Sequence, residues 1–158
     1  MKQFKIIATY FEQIKHTQGS NAKKAILETM RNDSRIDSIV FDKVLKHLFS
    51  SNVITGIAKI SWNKATIGQE YPFADILDII TYIENNNSGK NETVETLKWL
   101  ESQLTTEKEK NLLYYLATRD VQIGLSQQSI QKIYGILNKF EIMLGSKRDD
   151  KLNLQKPF

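Results

Sequence analysis

The stretch Arg119-Asp120-Val121-Gln122-Ile123-Gly124-Leu125-Ser126-Gln127-Gln128-Ser129-Ile130-Gln131-Lys132-Ile133-Tyr134 decides how this chain reads. Its pattern predicts a helix end, a glycine stop and a new helix. Gly124 suits the left-handed position just past a helix C-terminus. Ser126 suits an N-cap, because its hydroxyl can accept from the free amides of Gln128 or Ser129. Leu125 before the cap and Ile130 at the fourth helical position form the pair expected of a hydrophobic staple. Ile130, Ile133, Tyr134 and Leu137 follow at i, i+3, i+4 and i+7, one apolar face of a helix. The first amides of that helix have no partner within it and carry the positive end of its dipole. The small polar residues Ser126, Gln127, Gln128 and Ser129 leave room there, with Lys132 one turn on and Arg119 before the turn. The corner is therefore a candidate phosphate site; an ordinary helix–turn–helix corner reads the same way.

Working outward, the same helical period recurs. The first helix is expected over Lys2 to His16, with Phe4, Ile7, Ala8, Phe11 and Ile14 as its apolar stripe. Ser20 can cap a second helix from Asn21 to Met30, and a third is expected from Asp37 to Phe49. Ser50 to Tyr71 is the least regular part and reads as a loop with a short extended piece. It carries Lys59-Ile60-Ser61-Trp62-Asn63-Lys64, read as a core tryptophan with the two lysines outside. Pro72 suits the first position of a fourth helix. Asn91 can cap a fifth, and Thr106 with Glu109 fits a capping box for a sixth. The fold expected is all-α: about seven helices in one domain over 1–140, with 141–158 as a linker to a following domain.

The chain has 158 residues and 41% hydrophobic content, which suits one domain with a real core. No apolar run reaches the roughly 18 residues a membrane helix needs, and the N-terminus lacks a secretory leader pattern. With no cysteine there is no disulfide, thiolate metal site or cysteine nucleophile. The two histidines, His16 and His47, lie far apart, so no metal site is expected, and a cytoplasmic location is. Residues 1–64 hold 11 Lys/Arg against 5 Asp/Glu, residues 65–118 hold 4 against 9, and residues 119–158 hold 7 against 4. Basic ends packed together would give one face suited to a phosphate backbone; solvated lysines would give the same count. The acidic middle, including Glu101, Glu107 and Glu109, falls on outer helix faces and is not expected to be catalytic.

The corner at 119–134 resembles the last helical corner of the N-terminal DNA-binding domain of ATP-dependent DNA ligases, where a basic residue, a glycine, small residues and an amphipathic helix recur in this order. Thr17-Gln18-Gly19-Ser20-Asn21-Ala22-Lys23-Lys24-Ala25-Ile26-Leu27 looks like the opening corner of that domain. Met143-Leu144-Gly145-Ser146 is similar to the segment that leads into the adenylation domain. The resemblance covers nearly the whole chain and is greatest to the compact phage and bacterial ligases. It implies a monomeric module that grips nicked duplex DNA of any sequence through the sugar-phosphate backbone and minor groove. The contacts it implies are Arg119, Gly124, Leu125, Ser126, Gln127, Ser129 and Lys132, then Lys59 and Lys64, then Ser20, Lys23 and Lys24, with Gly124 and Leu125 acting through their amides. Asp120 is a departure that could pair with Arg119.

The family's nucleophile is a lysine in a K-x-D-G motif, which the chain lacks; Lys147-Arg148-Asp149-Asp150 has aspartate in place of the glycine. The expectation is that this stretch carries no catalytic residue, metal or cofactor of its own. ATP, Mg2+ and an adenylation domain would belong to a longer ligase continuing past Phe158. Two other classes fit the residues. A helical adaptor would use Trp62 and Tyr71 as anchors and expose an apolar patch. A sequence-specific regulator would read bases through Gln127, Gln128 and Gln131.

Overall fold

The computed structural model describes residues 1–137, with side chains described through Lys132. The expectations for 138–158, among them the 141–158 linker and the segments Met143–Ser146 and Lys147–Lys151, fall outside the described residues. Within them the protein is all-helical: α1 (Lys2–Lys15), α2 (Ser20–Arg31), α3 (Ser38–Phe49), α4 (Lys59–Lys64), α5 (Ile76–Asn85), α6 (Asn91–Gln103), α7 (Glu107–Thr118) and α8 (Gln127–Leu137). No strand occurs among these residues.

The core follows the apolar stripes. Phe4, Ile7, Ala8, Phe11 and Ile14 of α1 are all buried, as are Leu112, Leu113, Leu116 and Ala117 of α7. These two helices pack directly on each other; α1 also packs on α2, and α3 on α5 and α8. Ile76, Ile79, Ile80 and Ile83 line the inner face of α5, wholly enclosed. At about 25 cal/mol per Å² of apolar surface removed from water, each such isoleucine contributes on the order of 2 kcal/mol.

Several expected starts move. Ser20 is the first residue of α2 rather than its cap; that place belongs to Gly19 at φ 90°. Asn91 is likewise inside α6, behind Lys90. Thr106 does precede α7, but its side chain makes no capping bond. The segment Ser50–Tyr71 contains no extended pairing and instead folds α4, which buries Trp62 and leaves Lys59 and Lys64 exposed. Trp62 packs edge-on to Tyr114 with ring centroids 6.3 Å apart, and the Lys98 ammonium lies 4.7 Å from its ring centre. Pro72 does not open a helix, because α5 begins four residues later, behind Asp75.

Asp75 explains that delay. Its carboxylate accepts from the Ile76 amide at 2.8 Å, capping α5. It also accepts from the Gln3 and Phe4 amides at 3.0 and 2.8 Å, capping α1. One negative charge thus sits at the positive ends of two helices, worth roughly 1 kcal/mol per cap.

Candidate nucleic-acid interface

The corner between α7 and α8 is built differently from its sequence reading. Helix α7 stops at Thr118, and Arg119 itself takes the left-handed conformation there, φ 62°. An arginine in that region costs about 1–2 kcal/mol, and its guanidinium supplies the compensation. Nε donates to the His47 carbonyl at 2.9 Å, Nη1 to the Val53 carbonyl at 2.5 Å, and Nη2 to the Leu48 carbonyl at 3.4 Å and to the Ser50 carbonyl. Gln131 of α8 donates to the Phe49 carbonyl at 2.7 Å. The last carbonyls of a helix have no partner within it. In α3 those of His47, Leu48 and Phe49 are closed by side chains from the corner, and that of Lys46 by the Ser50 amide. The arginine charge also lies at the negative end of the α3 dipole.

The capping is reciprocal. His47 Nε2 lies 2.7 Å from the Leu116 carbonyl, one of the orphan carbonyls at the end of α7. A carbonyl only accepts, so Nε2 carries the proton. His47 is 2% exposed, and its Nδ1 has no partner among the described residues. Burial holds the imidazole below its ordinary pKa, and the Arg119 charge pushes the same way, against the bond to Leu116. It is therefore a neutral ring at pH 7.

Gly124 keeps the left-handed conformation expected of it, φ 80°, but within the loop and six residues beyond the end of α7. Its reason is close packing. A Cβ there would lie 2.8 Å from Lys23 Nζ. Lys23 is buried, and its ammonium donates to the Ile14 carbonyl at 2.7 Å and the Ile123 carbonyl at 2.8 Å. It ties the end of α1 to the corner.

The start of α8 does follow its sequence reading. Ser126 Oγ accepts from the Ser129 amide at 3.0 Å, and Leu125 and Ile130 are both buried. The amides of Gly124, Leu125, Gln127 and Gln128 have no hydrogen-bond partner among the described residues. Gln127, Gln128 and Lys132 are exposed around them. A shallow cavity of about 270 Å³ opens beside them, lined by Phe49, Arg119, Val121, Ser126 and Gln127 among others.

The residues expected to touch DNA thus divide. Arg119 and Lys23 turn their donors to backbone carbonyls and act as clamps. Ser129 gives its amide to the cap. Gly124, Leu125, Ser126 and Gln127 line one turn of chain, and Lys132 stands one helical turn beyond. Lys59 reaches this corner from α4: its ammonium is 3.9 Å from Asp120. Asp120 also accepts from the Tyr114 hydroxyl at 2.5 Å and from Gln122 at 2.9 Å, and the Tyr114 bond in particular holds its carboxyl below the usual range. Lys64 is not at the corner; it borders a separate cavity facing Asn91 and Glu95 of α6. Ser20 is exposed and Lys24 half-buried on α2. The clamping roles of Gln131 and Lys23 have no local signal, since their partners lie 82 and 100 residues away.

Among the described residues no three His, Asp or Glu side chains come together as metal ligands. None of their helices is long and apolar enough to cross a membrane. Comparison of the chain with protein-family models, with curated proteins and with solved structures found no match.

Proposed function

We propose that this chain is a helical DNA-binding module that holds the sugar-phosphate backbone of duplex DNA at the α7–α8 corner. One observation carries the reading: the amides of Gly124, Leu125, Gln127 and Gln128, which have no partner among the described residues, lie at the start of α8, where its dipole is positive. Oriented amides at a helix start are suited to phosphate oxygens. Lys132 adds charge one helical turn on, Lys59 lies beside Asp120 of the corner, and the chain carries a net +4. Arg119, Gln131 and Lys23 fix the corner in place, which favours a rigid grip over base reading. Gln131, one of the three candidate base readers, is turned onto Phe49.

The finer reading, that the module belongs to an ATP-dependent DNA ligase, rests on the resemblance of the corner. ATP, Mg2+ and the lysine nucleophile would then be held by an adenylation domain outside these residues. Its test is the coding sequence beyond Phe158, where a K-x-D-G codon run within a few tens of codons is expected and an immediate stop would refute it.

The DNA grip is tested by fluorescence anisotropy with labelled nicked and intact duplexes of several sequences. With about three phosphates neutralised, affinity falls roughly 40-fold between 50 and 200 mM salt and is the same for every sequence. Lys132→Glu weakens binding and leaves the melting temperature unchanged. Salt-independent binding, or binding to one sequence alone, would overturn the proposal.

A second reading has an observation of its own. Ile54, Ile60 and Ile67 are 72%, 66% and 63% exposed on and around α4. Exposed apolar side chains so grouped in sequence suit a protein partner. Trp62 is not its anchor, being 3% exposed. That reading predicts partner binding that persists at high salt.

A further inference from the structure

A cavity of about 510 Å³ lies on the acidic part of the chain, between α5, α6 and the loop before α5. Gly68 sets its width. The Gly68 amide donates to the Glu95 carbonyl at 2.8 Å, and a Cβ on Gly68 would lie 2.7 Å from the Glu95 backbone. The loop therefore lies directly on α6, which brings Glu70 and Tyr71 across from Glu92 and Glu95. The three glutamates make no ion pair or side-chain hydrogen bond among the described residues. Such a site attracts a cation, and carboxylates alone are common on surfaces.

Two further features give the cavity chemical definition. Thr93 and Thr96 line it while only 2% and 7% exposed, and neither hydroxyl makes a hydrogen bond among the described residues. The two side chains are held in place by burial while their hydroxyls have no protein partner among the described residues, so each leaves the cavity an open hydrogen-bonding group. The second feature is aromatic. Tyr71 and Tyr82 border the cavity with ring centroids 4.6 Å apart, backed by Phe73. Ring faces beside carboxylates favour an organic cation over a metal ion, because methylenes pack on the rings while the charged end is drawn to their faces. Asn86 also borders the cavity; its amide nitrogen is used by the Tyr82 carbonyl at 2.8 Å, leaving its oxygen to accept. Every polar group named is an acceptor or can act as one, which matches the three donors of an ammonium.

We propose that the cavity formed by Glu70, Glu92 and Glu95 with Thr93, Thr96 and the Tyr71–Tyr82 pair binds an alkylammonium cation. The glutamates provide the charge, the threonine hydroxyls and Asn86 oxygen accept from the ammonium, and the tyrosines cover the alkyl chain. Both a free aliphatic diamine and a lysine side chain of another protein carry this group. The site is separate from the α7–α8 corner and does not depend on the DNA grip.

The test uses the full chain, isotope-labelled for NMR, titrated with 1,4-diaminobutane at constant ionic strength. Saturable shifts confined to Thr93, Thr96, Tyr71, Tyr82 and their neighbours are expected, and none with 1,4-butanediol. Glu92→Gln with Glu95→Gln weakens binding about tenfold or more, the effect of losing a charge-assisted contact. Thr93→Val with Thr96→Val weakens it while the charge is kept. The glutamine pair lies on half-exposed or exposed positions, so the fold survives and circular dichroism confirms it. N-acetyl-lysine methylamide separates the sources: equal affinity assigns the site to a protein lysine, much weaker affinity to a free diamine. Shifts that do not saturate, shifts equal with butanediol, or a glutamine variant that binds as wild type would each overturn the proposal.

Discussion

Arg119→Ala tests the central claim about the corner, that this side chain holds the end of α3 rather than a ligand. The substitution removes the guanidinium from the carbonyls of His47, Leu48, Ser50 and Val53 and leaves residue 119 in the left-handed region. Hydrogen bonds from a charged donor contribute roughly 1.5–3 kcal/mol each, and a carbonyl left buried without a partner costs about 1–3 kcal/mol. The bonds share one half-buried group and the 3.4 Å contact is weak, so they do not add fully. A loss of about 3–5 kcal/mol is expected. For a domain of this size each kcal/mol lowers the melting temperature by roughly 2–4 °C, giving a fall of about 10–15 °C. Arg119→Gly separates the two effects within the residue: it loses the same bonds but accepts φ 62° freely, so it is about 1 kcal/mol more stable than the alanine variant. Urea denaturation and calorimetry on the wild type and both variants measure this. If Arg119→Ala melts as wild type while DNA affinity falls, the guanidinium faces the ligand and the clamp is refuted. An ordering with alanine above glycine would refute the assignment of strain.

Three other outcomes are expected. His47 is buried and held below its ordinary pKa, so as pH falls through about 6.5 the unfolded chain takes up a proton that the folded chain refuses. Stability is therefore complete above that pH and declines below it by at most about 1.4 kcal/mol per pH unit from this group; His47→Gln flattens the decline, and an unchanged pH profile would remove the assignment. Gly124→Ala meets both a positive φ and the pinned Lys23 ammonium, so denaturation shows a loss of about 2 kcal/mol, whereas a neutral result would mean Lys23 is free to move. Asp75→Ala uncaps α1 and α5 together, and thermal melts should show about 2 kcal/mol lost, twice the usual single cap; a loss no larger than one cap would show that α1 does not rely on it.

The helices that rest on a repeated apolar stripe were legible in the sequence. The five buried residues of α1 are the five its period selects. Ser126 was legible as well, since an N-cap is defined by its own next three residues. The short α4 was not. Six residues make under two turns, too few for a period, and Val53, Ile54 and Ile57 before it suggest an extended chain. The greater difficulty lay with polar residues whose partners are distant in sequence. Asp75 falls inside the helix expected to open at Pro72 until the start of α1 is placed against it. Lys23 and Arg119 read as surface cations in a basic region. Only the packing of α1 on α7, and of α3 beside the corner, turns their donors onto main-chain carbonyls. The turn at Gly124 and the cap at Ser126 were thus readable, and the division between residues that hold the corner and residues open to solvent was not.

The links from Asp75 to the start of α1 and from Lys23 to the Ile123 carbonyl carry a consequence for the order in which the molecule forms. The start of the first helix is closed by a carboxylate at position 75, and Lys23, which closes its end, is itself held by the carbonyl at position 123. A nascent chain leaving the ribosome holds α1 and α2 without α7, the helix on which α1 packs. The opening third cannot settle early and must wait for the corner. Folding is expected to be a single late event after release of most of the chain, and fragments that stop before α8 should remain open to proteases.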